Sequence, residues 1–146
     1  TGITRGTTDA HVARAAVESI AFQVGDVLQA MDAATQFDIE VLLADGGGSR
    51  NDQLMQFQSD ILGRPVHRNN ASEIASLGAA WLAGLALGIW TDTDELETLP
   101  GTHDPFSPSR SDNFYETKYQ EWKRAVDRTL YNPQQPNRQI WSNSKN

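Results

Sequence analysis

The residues best suited to binding chemistry form a glycine-rich turn near the middle of the chain. Gly46, Gly47 and Gly48 follow a short apolar run and lead into Ser49, a residue type that often caps helices. Because glycine lacks a Cβ, a ligand can approach its backbone closely, and the first N–H groups of a helix bind phosphate or ribose oxygens. Asn51 adds a carboxamide that can hydrogen-bond a nucleotide from the same side. These residues alone leave two alternatives open, a nucleotide site and a tight strand-to-helix turn without a ligand.

Two familiar phosphate-binding motifs do not fit this turn. A P-loop carries a lysine followed by serine or threonine after its last glycine, and no lysine follows Gly48 in the turn. The dinucleotide-binding pattern is Gly-x-Gly-x-x-Gly, and its third glycine would have to stand where Asn51 is found. A nucleotide bound here would therefore be held by another kind of strand–turn–helix unit.

A buried strand before the turn and a helix after it are the elements expected to position it. The run 39–44 is apolar apart from Glu40 and contains β-branched residues, which predicts a strand covered on both faces in a parallel sheet. Ser49 with Asp52 three residues later predicts a capping box at the start of the helix. Gly63 is suited to end that helix, since glycine is favoured just after a helix C-terminus.

A long amphipathic helix and a short strand complete the surroundings of the turn. Apolar residues recur at helical spacing from Val12 to Met31, and Thr8 is suited to cap this helix, which should end near residue 33 or 34. The segment 65–68 is expected to be extended, and Pro65 favours a position near the edge of the sheet.

The remaining chain is predicted to add helices and loops. Asn70 with Glu73 predicts a capping box and a helix from residue 74 to about 87, whose small residues favour close packing within the domain over a subunit contact. Residues 91–108 contain three prolines and should be mostly loop, with one helical turn at 93–96. A last amphipathic helix is expected at 112–131. The sequence thus predicts an α/β domain over residues 1–131 and a polar, flexible tail at 132–146.

Composition narrows the classes of function. The net charge of −7 and a pI near 4.8 argue against a nucleic-acid partner. The chain has no cysteine, which excludes disulfides and thiolate metal sites and fits a reducing, cytoplasmic location. The longest apolar stretch, 79–87, is too short to span a bilayer, and the polar residues 1–6 do not suggest a secretory signal. We therefore expect neither a nucleic acid nor a membrane as partner.

Other ligand-type residues have simpler interpretations. The three histidines lie at spacings of no known metal motif. The acidic residues at 92–97 lack the EF-hand pattern and favour a solvated loop over a calcium site. The tryptophans at 81, 90 and 122 are expected to be core or half-buried packing residues, and Trp141 is expected to lie exposed in the tail.

Several separated motifs, in the same order along the chain, resemble the FGGY family of carbohydrate kinases. They are TRG at 4–6, ESIAFQ at 18–23, ADGGGSRN at 44–51, LMQFQSDILG at 54–63, SLGAAWLAGLA at 76–86 and WKRAV at 122–126. The resemblance runs over nearly the whole chain, from about residue 1 to about residue 130. Such a series is more specific than a single glycine turn.

This resemblance implies a place in the C-terminal, ribonuclease-H-like domain of the actin and hexokinase ATPase fold, on the nucleotide side of the cleft. It implies that Gly47 and Asn51 contact ATP or ADP, with Gly46 and Gly48 shaping the same turn. No catalytic residue and no metal ligand is carried onto this chain, because the family's aspartate base and phosphate loops lie upstream of the matched motifs. ATP with Mg²⁺ is nevertheless the expected nucleotide.

The activity implied by the resemblance is transfer of the γ-phosphate of ATP to a polyol or sugar hydroxyl, with glycerol favoured. The alternatives are a ketopentose such as xylulose or ribulose, and a non-enzymatic nucleotide-binding module on the same fold. The alcohol substrate would be bound mainly outside this chain, which is expected to be inactive by itself. Whether the protein forms a homo-oligomer stays open.

Overall fold

The computed structural model describes residues 1–35, 39–71, 73–99, 101–110 and 112–130. Its elements are α1 (Asp9–Ala34), β1 (Leu42–Ala44), α2 (Gly46–Ser49), α3 (Asp52–Leu62), β2 (Val66–Asn69), α4 (Ile74–Ala86), α5 (Thr93–Glu97), β3 (His103–Phe106) and α6 (Asp112–Leu130). In these residues no helix has both the length and the apolar character needed to cross a membrane. The expected tail at 132–146 lies outside the described residues, so its flexibility and the domain boundary at 131 stay predictions.

The three strands form one sheet in the order β1-β2-β3, which confirms the α/β class. β1 pairs with β2 in parallel, and β2 pairs with β3 antiparallel. The prediction that 65–68 lies at the sheet edge is wrong, because β2 is the central strand. Pro65 is tolerated since it stands just before the strand, where its carbonyl accepts the N–H of Leu42 at 3.0 Å and no N–H of its own is needed.

The strand β3 contradicts the expectation of a mostly irregular segment at 91–108. It pairs with β2 over four residues despite containing Pro105, which lies opposite His67. Proline is accepted in edge strands because its missing N–H does not interrupt an inner ladder. The helical turn expected at 93–96 is confirmed by α5.

The core lies between one face of the sheet and the two helices α1 and α3. Its buried members are Ala21 of α1, Leu54 and Met55 of α3, and Val66 of β2. The expectation that β1 is covered on both faces is wrong, since Leu43 is 69% exposed. The described helices cover only the face to which Leu42 and Ala44 contribute, because successive side chains of a strand point to opposite faces.

The helix ends at α1 and α3 follow the predicted signals. Thr8 is the N-cap of α1, and its N–H donates to Nδ1 of His11 at 3.1 Å, which gives this histidine a local structural role. α1 ends at Ala34, as expected. Gly63 ends α3 in the left-handed conformation, with a φ of 61°.

The helix α4 differs from its prediction at its start and in its packing. Its N-cap is Glu73, and Asn70 instead donates from Nδ2 to Oδ1 of Asp104 at 3.1 Å, so the predicted capping box does not form. Within the described residues, Gly84 is the one buried residue of α4, and a Cβ there would meet the Trp90 ring at 1.9 Å. The small residues therefore serve one close contact rather than packing along the whole helix.

The helix α6 is fastened to α1 by an aromatic cluster and a shared carboxylate. The ring of Phe22 stacks on Trp122 at 5.4 Å and meets Phe57 edge-on at 5.6 Å. Asp26 accepts two hydrogen bonds from α6, one from the Tyr119 hydroxyl and one from Nε1 of Trp122 at 2.9 Å. Both carboxylate oxygens are thus used to hold one helix against the other.

The environments of Tyr119 and Tyr115 in α6 predict a loss of stability at alkaline pH. Burial, and then the hydrogen bond to Asp26, raise the pKa of Tyr119, and burial raises the pKa of Tyr115 to about 12. A tyrosine with a higher pKa in the folded state stabilises the fold fully below its unfolded pKa of about 10, and this contribution is lost as the pH rises through the folded pKa. The free energy of unfolding from urea titrations should therefore decline above about pH 10.

The variant Tyr119→Phe supplies the control for this pH dependence. It keeps the ring in the aromatic cluster and removes the ionisable hydroxyl, so the alkaline decline should become shallower. An unchanged slope in the variant would show that the fold does not hold Tyr119 protonated.

Candidate functional site

The glycine turn leaves the carboxyl end of β1 and folds as the single helical turn α2. Asp45 is the N-cap of α2, and Gly46 takes a φ of 79°, the left-handed region that favours glycine. The buried Ser49 donates from its hydroxyl to the carbonyl of Gly46 at 2.8 Å, which closes the turn on itself. The turn is therefore a fixed structure between strand and helix.

The residue that caps the following helix is Asn51, not Ser49. The Oδ1 atom of Asn51 accepts the N–H of Leu54 at 3.1 Å, so the predicted capping box of Ser49 with Asp52 is wrong. The physical reason is that the glycines form a helical turn of their own, which moves the start of α3 two residues along the chain.

This cap fixes which end of the Asn51 side chain can meet a ligand. A carboxamide has one acceptor oxygen and one NH₂ donor group. Because the oxygen accepts from Leu54, the nitrogen is the atom that can donate to an acceptor on a ligand. Asn51 is exposed at the N-terminal end of α3, where the helix dipole also favours electron-rich groups.

Two clefts with different lining residues border the turn. One, of about 350 Å³, is lined by Gly46 and Gly47 together with Arg68 and its neighbours. The other, of about 670 Å³, is lined by Asn51 together with residues from the first half of α1 and from α3. Gly48 lines neither of these two clefts. Both volumes fall in the range of small-molecule sites, so three of the four predicted residues face space that a ligand could enter.

The space above the glycines is open. A Cβ built on Gly47 or Gly48 meets no atom within 4 Å, so packing within the described residues does not require glycine there. Gly46 differs, because its positive φ requires glycine for conformational reasons. At Gly47, which lines a cleft, the absent side chain leaves room for a ligand against the backbone.

A charged network that sequence reasoning missed lies beside the turn. Arg68, at the end of β2, donates to the carbonyl of Ser49 at 3.1 Å, to Asp52 at 2.6 Å and to Asp104 at 2.7 Å. The hydrogen bond with Asp104, and then that with Asp52, raise the pKa of Arg68. The hydrogen bond from Arg68, and then that from Asn70, lower the pKa of Asp104. No local sequence pattern identifies this network, because Asp104 is distant in sequence.

The other ligand-type residues have structural roles. The rings of His67 and His103 stack at 6.4 Å, and no group of three or more potential metal ligands occurs among the described residues. The acidic stretch at 92–97 contains the helical turn expected at 93–96, and Asp92 caps it by accepting the N–H of Glu95. The tryptophans at 81, 90 and 122 are half-buried, as expected. Trp141 lies outside the described residues.

Fold and turn together define an α/β domain in which a glycine turn links a parallel strand to an exposed helix N-terminus. Residues 1–87 match the family model of the C-terminal domain of the FGGY family of carbohydrate kinases. The chain belongs to this family. The resemblance seen in the motifs is thereby confirmed.

Individual relatives show the same relationship. The chain is 51% identical over 130 residues to a glycerol kinase from Dechloromonas aromatica, covering 89% of this chain and 26% of that protein. Plasmodium falciparum glycerol kinase, solved with ADP, superposes with a TM-score of 0.78 at 35% identity and covers 90% of this chain and 26% of that one. A xylulose kinase from Rhodospirillum rubrum superposes with a TM-score of 0.72 at 26% identity, and the match covers 89% of this chain and 26% of that one. The chain thus spans about a quarter of these relatives' length.

Substitutions of the three glycines should separate conformation from packing. Gly46→Ala should lower the free energy of unfolding by about 1–2 kcal/mol, the cost of a left-handed non-glycine residue. Gly47→Ala and Gly48→Ala, which meet open space, should leave it unchanged or slightly raised. Urea unfolding of the three variants measures this, and equal destabilisation by all three would contradict the described turn.

Proposed function

We propose that this chain is the nucleotide-binding portion of an ATP-dependent kinase that converts glycerol and ATP to glycerol 3-phosphate and ADP. The observation that carries the proposal is that the open backbone at Gly47 and the oriented carboxamide of Asn51 each line a cleft at the same turn, in a chain 51% identical over 130 residues to a glycerol kinase. A solved relative at 35% identity holds ADP.

In this proposal the chain binds and orients the nucleotide rather than performing the chemistry. The backbone at Gly47 lets the nucleotide approach closely, with Gly46 and Gly48 shaping the turn, and the Asn51 nitrogen donates a hydrogen bond to it. Phosphoryl transfer also requires Mg²⁺ and in-line positioning of the acceptor hydroxyl. We assign the catalytic base, the metal ligands and most glycerol contacts to the parts of the relatives that this chain does not span. The chain alone should therefore be inactive.

Sequence identity to solved kinases ranks the candidate substrate classes. The glycerol kinase structure is 35% identical to this chain and the xylulose kinase structure 26%, at similar coverage, which favours glycerol over a ketopentose. A non-enzymatic nucleotide-binding module ranks third, because the relatives from Dechloromonas, Plasmodium and Rhodospirillum are kinases. The lack of cysteine supports a cytoplasmic enzyme.

The test is a kinase assay on the whole polypeptide that carries this sequence, with ATP and Mg²⁺ and with glycerol, xylulose and ribulose as acceptors. We expect turnover with glycerol. The variant Asn51→Ser keeps an oxygen that can cap α3 and removes the amide donor. It should raise the KM for ATP about tenfold, the value of one hydrogen bond, with kcat little changed.

The matched control is Asp92→Ser, which exchanges the N-cap of α5 away from both clefts and should leave the KM for ATP unchanged. Turnover with a ketopentose alone would keep the nucleotide site and overturn the substrate. No turnover with any acceptor, or equal ATP affinity in Asn51→Ser and the native protein, would contradict the proposal.

A further inference from the structure

The guanidinium of Arg68 joins three parts of the fold at one point. Nη1 donates to the carbonyl of Ser49, the last residue of α2, and to Oδ1 of Asp52, the first residue of α3. Nε and Nη2 donate to Oδ2 of Asp104 in β3 at 3.2 and 2.7 Å. One side chain of β2 thus holds the junction between two helices and a neighbouring strand.

The two acceptors on the helices flank the residue proposed to bind the nucleotide. Ser49 and Asp52 stand on either side of Arg50 and Asn51, so Arg68 holds both ends of the α2–α3 junction from one direction. Arg68 also lines the same cleft as Gly46 and Gly47. Of the two contacts with the helices, the hydrogen bond to Ser49 reaches the backbone of the turn directly, and the one to Asp52 reaches a side chain of α3.

Asp104 on β3 anchors the Arg68 side chain. Asp104 is fixed by Arg68 on one oxygen and by Nδ2 of Asn70 on the other, and the Arg68 guanidinium lies 5.2 Å from the centre of the Phe106 ring. The Arg68 side chain is 18% exposed, unlike the surface pair Arg14–Glu18, whose arginine is 76% exposed. The carboxylate partners of Arg68 are more exposed, Asp104 at 46% and Asp52 at 74%, so the anchor depends on the two charge-assisted hydrogen bonds that Arg68 donates to Asp104.

We propose that Arg68, anchored by Asp104, is a positioning residue that holds the glycine turn and Asn51 in the orientation that receives the nucleotide. This inference rests on the proposed function. It assigns to Arg68 no contact with the reacting atoms, only control of the backbone that binds the nucleotide.

The chain offers a matched arginine for the test. Arg64 donates two hydrogen bonds to Asp32 at 3.2 and 2.7 Å, and its side chain is 26% exposed, but it lines neither cleft beside the turn. Arg64→Met and Arg68→Met each keep an unbranched apolar side chain and remove a guanidinium. A general loss of stability would affect both variants, whereas a positioning role belongs to Arg68 alone.

Both variants should be made in the whole polypeptide that carries this sequence, with ADP affinity measured by calorimetry and steady-state kinetics measured against ATP. Arg68→Met should weaken ADP binding and raise the KM for ATP about tenfold, because the turn and Asn51 lose the hydrogen bonds that hold their orientation, with kcat unchanged. Amide hydrogen exchange in residues 45–52 should accelerate. Arg64→Met should change neither affinity nor exchange in that segment.

The outcomes separate the inference from the function on which it rests. Native protein that fails to bind ADP would overturn the proposed function and this inference together. Native protein that binds ADP, with Arg68→Met unchanged, would overturn the inference alone. Equal losses of affinity in Arg68→Met and Arg64→Met would assign Arg68 a general structural role and also overturn it.

Discussion

The packing of α3 is the constraint on which the rest of the structure depends. This helix contacts α1, α6, β2 and β3, and it supplies Leu54 and Met55 to the buried core. The hydroxyl oxygen of Ser59, fully buried in the same helix, lies 2.9 Å from the carbonyl oxygens of both Arg64 and Phe106, which share its one hydrogen. These contacts hold α3 so that its N-terminal end lies close to the carboxyl end of β1, with only the short α2 between them.

That placement explains why the turn contains a left-handed glycine and how Asn51 combines its capping role with the binding role proposed for it. The chain has to pass from β1 into α3 over a few residues, and the left-handed Gly46 with the short α2 accomplishes this. The first N–H groups of α3 need acceptors, and the Asn51 oxygen supplies one. The same hydrogen bond leaves the amide nitrogen as the group that can donate to a ligand, so the structural role of the side chain is compatible with the proposed binding role.

The sequence predicted the elements whose signals are local. Thr8 and the apolar spacing predicted both ends of α1, and Gly63 predicted the end of α3. β3 was missed because Pro105 and the polar residues His103 and Asp104 before it are typical of loops, and only pairing with β2 makes them a strand. The cap at Asn51 was missed because a run of glycines is a weak helix former that tertiary packing can still hold in a helical turn.

The residues of the candidate site could be predicted from the sequence, but the hydrogen bonds of Arg68 that hold the turn could not. The glycines and Asn51 stood out by type and spacing, whereas Arg68 acts through Asp104, which lies 36 residues away in sequence and is brought close by the antiparallel pairing of β2 with β3. Contacts of this kind follow from topology and leave no periodic signal. The exposure of Leu43 was likewise hidden, because the sequence of a strand does not show which of its faces the other elements cover.

The central claim is that a nucleotide lies against this turn, and a crystal structure of the whole polypeptide with ADP bound tests it most directly. The account predicts that ADP contacts the backbone of Gly47 and accepts a hydrogen bond from the Asn51 amide nitrogen, whose oxygen still caps α3. ADP bound at another surface, with Gly47 and Asn51 untouched, would contradict it.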